Sequence, residues 1–161
     1  MDDELLGRDL DLGFIADDEG RVLAGPSSVA DLRALRRDDT RPRRFDLATI
    51  RGRANLAQSI ILRLLCERGE LEALGVPNYG SRHHRLIGEP NTEGNRSLVK
   101  LYVLECLRQE PRLERVLRVD VRPGQGLAKR DTCVVEITAL VAGSPTPLNL
   151  VVPFSFGGGV A

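Results

Sequence analysis

The sequence predicts an α+β fold: two main amphipathic helices packed on a small antiparallel sheet, forming one compact domain with an extended N-terminal arm. Three observations carry this. Apolar residues recur at helical spacing across residues 54–107, and they alternate strictly from Leu117 onward. The helical part precedes the strand part instead of interleaving with it, which is the α+β order. A chain of 161 residues fits one domain, divided here into an arm over residues 1–53 and a core over residues 54–161.

The arm has no sustained period. Residues 1–20 carry eight acids and one arginine, whereas residues 31–53 carry eight arginines and four acids. Turn signals separate the two, and residues 36–44 (RRDDTRPRR) read as an exposed loop. From Ala54 the helical pattern is strong. Leu56, Ile60, Ile61, Leu64 and Leu65 share one stripe, with Gln58, Arg63 and Glu67 on other faces, and Gly69 is placed to end the helix. Val76 to Ser81 is a turn, and Ser81 is placed to cap a short helix over residues 82–87. A second helix is expected over residues 93–109, with Leu98, Tyr102, Val103, Cys106 and Leu107 as its apolar stripe. Pro111 disfavours helical geometry at Glu110 and stops it.

Three strands follow. Leu117, Val119 and Val121 alternate with charged residues; Cys133, Val135, Ile137, Ala139 and Val141 continue the odd-position pattern; Leu148, Leu150, Val152, Phe154 and Phe156 form the third face. Short turns between them predict a meander, and the two helices are the available cover for its apolar face. The last strand, uncharged and followed by three glycines, reads as an edge open to pairing with another chain.

Composition narrows the function. Lys plus Arg (23) balances Asp plus Glu (23), so no general attraction to nucleic acid is expected. Only Lys100 and Lys129 are lysines. Aromatic residues are 4% with no Trp, which disfavours a base-stacking platform. Cys66, Cys106 and Cys133 read as small buried hydrophobes of a reducing compartment. The acidic N-terminus is not a secretory signal. The uncharged stretch over residues 137–161 is broken by three prolines and four glycines and reads as strand, turn and strand, not as a membrane span.

Chemistry is sparse. Gly124-Gln125-Gly126 lies between strands and lacks the helix a phosphate loop needs. His83, His84 and the cysteines lack zinc-ligand spacing, so neither metal nor cofactor is expected. Carboxylate pairs for glycoside hydrolysis can be picked from Glu67, Glu70, Glu72, Glu105 and Glu110, as they can on most charged helix faces. The distinctive feature is Glu110-Pro111-Arg112, opposite charges flanking a rigid proline at a helix–strand junction. Alone, such a tripeptide is usually a salt bridge and a helix stop.

In company it says more. Gly7-Arg8-Asp9-Leu10 with Gly13-Phe14, Asn55-Leu56-Ala57-Gln58-Ser59-Ile60, Leu64-Leu65 before Arg68-Gly69-Glu70, Pro77-Asn78-Tyr79-Gly80-Ser81, and Glu110-Pro111-Arg112 with Val119 and Val121 follow one another in order. Over residues 6–14 and 55–121 this resembles the GPW-type baseplate family of contractile machines, which includes a sheath-initiating wedge subunit of phages and a subunit of type VI secretion. The resemblance implies a non-enzymatic part, in six copies, assembled in the bacterial cytoplasm into a baseplate or phage tail-like particle. Its partners would be baseplate wedge proteins, the sheath subunit, and the inner tube or hub. It implies a wedge contact at Glu110, Pro111 and Arg112, and a structural turn at Gly69, Glu70, Tyr79 and Gly80. A sheath contact is expected on the last strand, at Asn149, Val151 and Ser155. A lysozyme-like muramidase and an arginine-rich nucleic-acid module are the competing classes.

Overall fold

Alternation in the C-terminal third builds the sheet that everything else packs on. A computed structural model describes residues 6–16, 22–23, 32–37, 44–125 and 130–157. In chain order its elements are β1 (Arg8–Leu10), β2 (Ile15–Ala16), β3 (Val22–Leu23), β4 (Ala34–Arg37), β5 (Arg44–Leu47), β6 (Thr49–Arg51), α1 (Gly52–Leu65), short 3-10 turns at Glu72–Leu74 and His83–Leu86, α2 (Glu93–Leu107), β7 (Leu113–Pro123), β8 (Thr132–Val141) and β9 (Pro147–Ser155). The meander is present: β7 pairs antiparallel with β8, and β8 with β9. Odd residues of β8 and even residues of β9 face inward, so Ile137 stands opposite Leu150 and Cys133 opposite Phe154.

The helices cover that face. Leu56, Ile60, Ile61 and Leu64 of α1 and Val99, Val103, Cys106 and Leu107 of α2 join the sheet residues in one core. At about 25 cal/mol per Å², such burial is the main stabilising term. Thr92 caps α2, its hydroxyl accepting from the Asn95 N–H at 3.2 Å.

Several expectations need correction. The sheet has five strands, ordered β2-β3-β9-β8-β7, and the β3–β9 pair is parallel. The last strand is therefore central: Val22 pairs with Leu150 and Leu23 with Val151, and β7 is an outer strand of the sheet. Within the arm, β1 pairs with β6 and β4 with β5. Of the arginine-rich loop, residues 36–37 and 44 belong to β4 and β5, and residues 38–43 lie outside the described residues. Helix α1 ends at Leu65, four residues before Gly69, because Cys66 turns extended to begin pairing with Ser81. On α2 it is Val99, fully buried, that faces the core, while Leu98 is 38% exposed. The 3-10 turn at His83–Leu86 has no side-chain cap; the Ser81 hydroxyl instead meets His83 Nδ1 at 2.7 Å. The first strand of the meander starts at Leu113, four residues early, because register shifts between Leu113 and Arg115 and between Val116 and Arg118 hide its alternation.

Candidate functional site

The end of α2 delivers Glu110 inward. Arg108, Gln109 and Glu110 donate their N–H groups to Leu104, Cys106 and Leu107, and Leu113 N–H returns to the Glu110 carbonyl at 3.1 Å. Pro111 sits exposed on this turn, and Glu110 is 3% exposed beneath it. Its carboxylate accepts from Arg112 Nε at 2.6 Å, from Arg112 Nη2 at 3.0 Å and from the Arg112 backbone N–H at 3.3 Å. Burial pushes the Glu110 carboxyl up, but the Arg112 hydrogen bonds and charge, aided by Arg63, outweigh it and hold it below the usual range. Arg112 also donates Nη1 to the Leu6 carbonyl at 3.3 Å.

Three residues that the sequence assigned no role complete the site. Asn55 Nδ2 donates to the same Leu6 carbonyl at 2.9 Å. Gln58 clasps the arm like a peptide group: Nε2 donates to the Leu10 carbonyl at 2.7 Å, and Oε1 accepts from the Leu12 N–H at 2.9 Å. Arg63, expected on an outer face, lies within 3.6 Å of Glu110 Oε2 and stacks on Tyr79, with its guanidinium carbon 4.7 Å from the ring centroid. The signal was a helix apolar on its core side yet carrying Asn55, Gln58 and Arg63 on other faces; the arm covers Asn55 and Gln58, and the Glu110 turn and Tyr79 cover Arg63.

The four turn residues come together. Residues 66–68 pair with Ser81: Ser81 N–H donates to the Cys66 carbonyl at 2.9 Å, and Arg68 N–H to the Ser81 carbonyl at 3.1 Å. Gly69 N–H donates to the Tyr79 carbonyl at 3.3 Å, and Glu70 Oε2 accepts from the Glu67 N–H at 3.0 Å and from Cys66 Sγ at 3.2 Å. Gly80 fits where no side chain would (φ +97). Alongside, Glu105 bridges Arg68, at 2.8 Å, and Arg82. On β9, Asn149, Val151 and Ser155 are half-buried on the face opposite the core, and Asn149 Oδ1 accepts from Thr138 Oγ1 at 3.0 Å. They are remote in sequence and sheet position from the Glu110 turn.

Burial lifts the Cys66 and Cys106 thiols to about 11 and Cys133 to about 12, so none is an activated nucleophile. Cys66 is half-exposed, not buried as expected. Among the described residues no three His, Cys, Asp or Glu side chains converge on a metal position, and no helix is long and apolar enough to cross a membrane.

His83 is a hidden acid sensor of stability. It is 6% exposed, its ring edge-on to Phe154 at 4.9 Å and 4.3 Å from His84. Burial, then His84, depresses its pKa to about 3. The folded chain keeps it neutral while the unfolded chain protonates it near the usual 6.5, so its contribution is complete above pH 6.5 and falls from there toward pH 3. At 1.4 kcal/mol per pH unit, stability should drop by about 2 kcal/mol between pH 6.5 and 5. Urea titrations of wild type and His83→Gln check this: the slope should flatten in the variant, and an equal slope would assign the acid sensitivity elsewhere.

The family model described as "Baseplate wedge protein gp25" matches residues 51–146, more than half of the chain and all of the Glu110 turn. A solved structure from Geobacter sulfurreducens, described as a candidate tail lysozyme, is 27% identical with a TM-score of 0.54, covering 63% of this chain and 88% of that one. No curated protein matches the chain. The match spans α1, the 66–81 turn, the Glu110–Arg112 junction and strands β7 and β8, and on it the chain belongs to the baseplate wedge protein gp25 family, a family of structural baseplate proteins.

Proposed function

We propose that this chain is a non-enzymatic baseplate subunit that joins wedge proteins to the first sheath ring around the inner tube and initiates sheath assembly. The observation that carries the reading is the family match across the Glu110-Pro111-Arg112 junction, whose proline is exposed while its charges are locked below. A surface turn fixed by a buried ion pair is preorganised for a partner. In this reading six copies surround the tube in a phage tail-like particle assembled in the cytoplasm, with wedge proteins at residues 110–112 and the sheath on the β-sheet. The β3–β9 pairing covers the β9 edge at Leu150 and Val151; among the described residues β7 ends the sheet, so a sheath strand would pair along β7, and Asn149, Val151 and Ser155 offer a face instead of an edge.

The charges support the non-enzymatic half. A glycosidase needs one carboxyl with a raised pKa. Glu70 beside the Cys66 thiol, Glu105 beside Arg82 and Arg68, Glu110 beside Arg112 and Asp120 beside Arg118 are all held below the usual carboxylate range.

Deleting the gene and imaging particles by electron microscopy tests the reading. Tubes lacking an extended sheath are expected; sheath of normal length in the deletion would overturn it. The pure protein should not release soluble fragments from peptidoglycan, and release abolished by a single Glu→Gln change would install the muramidase class instead.

A further inference from the structure

Arg63 is the charged group of the Glu110 site with the fewest hydrogen bonds among the described residues. A guanidinium carries five N–H donors, yet among the described residues Arg63 makes no hydrogen bond: Glu110 Oε2 lies 3.6 Å away, and the other contact is the Tyr79 ring. Its side chain is only 17% exposed, and its Nε is buried without a partner. Both Glu110 oxygens already accept from Arg112, and at 3.6 Å Arg63 gains charge attraction from Oε2 but no hydrogen bond. Two guanidiniums therefore share one carboxylate, leaving one positive charge in a poorly hydrated place.

The neighbouring trio shows that the fold can do otherwise. Arg68 and Arg82 also share one carboxylate, Glu105, and both hydrogen-bond to it, although they are more exposed. A purely structural role would satisfy the deeper trio first, since an unsatisfied buried donor is the costlier one. On the loop that carries Tyr79, Leu74 is 76% exposed and Val76 46% exposed, and the loop is held by Leu74 N–H to the Leu71 carbonyl at 3.0 Å and Tyr79 N–H to the Val76 carbonyl at 3.2 Å. A mostly buried guanidinium stacked on a tyrosine ring and short of hydrogen bonds is the composition of an interface hot spot, in which surrounding contacts exclude water from a charge pair.

The geometry points to Arg63 as the docking group for an aspartate or glutamate side chain of the wedge partner, seated beside Tyr79. This rests on the wedge contact proposed above and adds the partner's chemistry: one carboxylate, met by a guanidinium already stacked and charged.

The chain co-purified with the wedge proteins of its own particle provides the test. Arg63→Met keeps a stem on Tyr79 and leaves Glu110 with Arg112, so its thermal midpoint should stay within a few degrees of wild type. Affinity should fall on the order of 30-fold or more, with a shallower dependence on salt. An acid-to-amide scan of the wedge protein should find one position whose loss is not additive with Arg63→Met. Should Arg63→Met fail to fold, Arg63→Gln carries the same measurement, since it removes the charge but keeps a polar end on the side chain. Equal affinity of wild type and variant overturns the carboxylate docking and leaves the wedge contact standing. Absence of binding by the wild-type chain overturns both.

Discussion

Replacing Arg112 with alanine is expected to lower the unfolding free energy by about 3–5 kcal/mol, the cost of stranding a buried charge. Glu110 is 3% exposed and takes three hydrogen bonds from Arg112. Two of these come from the guanidinium and vanish with it. Arg63 stands 3.6 Å off and is held against Tyr79, so it offers charge but not a replacement fork. The Leu6 carbonyl also loses one of its two donors, which loosens the arm where it crosses α1. Urea unfolding at neutral pH measures the loss. The double change Glu110→Gln with Arg112→Ala should recover only part of it, because it removes the stranded carboxylate but leaves Arg63 without its counter-ion. Arg112→Ala within about 1 kcal/mol of wild type would mean that Arg63 and water suffice, and Glu110-Pro111-Arg112 would then be a helix stop only. Acid acts on the same bond: the depressed Glu110 carboxyl contributes stability above the ordinary glutamate range, and that contribution fades as pH falls below it.

How far the sequence could be read depended on whether a residue's partner was local. The strands β8 and β9 announce their inward faces by alternation alone, since a period of two leaves one face for the core. The Glu110–Arg112 pair was legible for the same reason, being two residues apart across a proline. Arg63, Asn55 and Gln58 were not. Their partners are Glu110, Leu6, Leu10 and Leu12, 46 or more residues away, and periodicity assigns a polar residue on an amphipathic helix to solvent. The helix is instead enclosed on two sides, by sheet and arm. The same limit hid the position of β9. Nothing local in Val22 and Leu23 signals a parallel partner some 128 residues on, so an uncharged last strand looked like an edge when it is a centre. Leu98 and Val99 exchanged places because a helix stripe read from apolar residues alone is uncertain by one position, about 100° of rotation.

Gly80→Ala is expected to be as damaging as Arg112→Ala, at about 3–5 kcal/mol, combining a left-handed backbone with a collision. An added Cβ would stand 2.6 Å from the Glu67 carbonyl oxygen and 2.7 Å from that of Cys66. Both obstacles are backbone and cannot rotate aside. Moving either one opens the pairing of residues 66–68 with Ser81, and with it the seat of Tyr79 against Arg63. Gly69 is the internal control. It has the same φ of +97 but nothing within 4 Å of its added Cβ, so Gly69→Ala should cost only the backbone term, about 1–2 kcal/mol. Urea midpoints of the two variants, measured side by side, separate collision from conformation. Equal losses would show that the 66–81 contact yields without penalty, and the turn would then not be what fixes Tyr79 in place. If Gly80→Ala loses the larger amount and also weakens wedge binding at temperatures where it remains folded, the close approach at Gly80 serves the interface by aiming Tyr79 and Arg63.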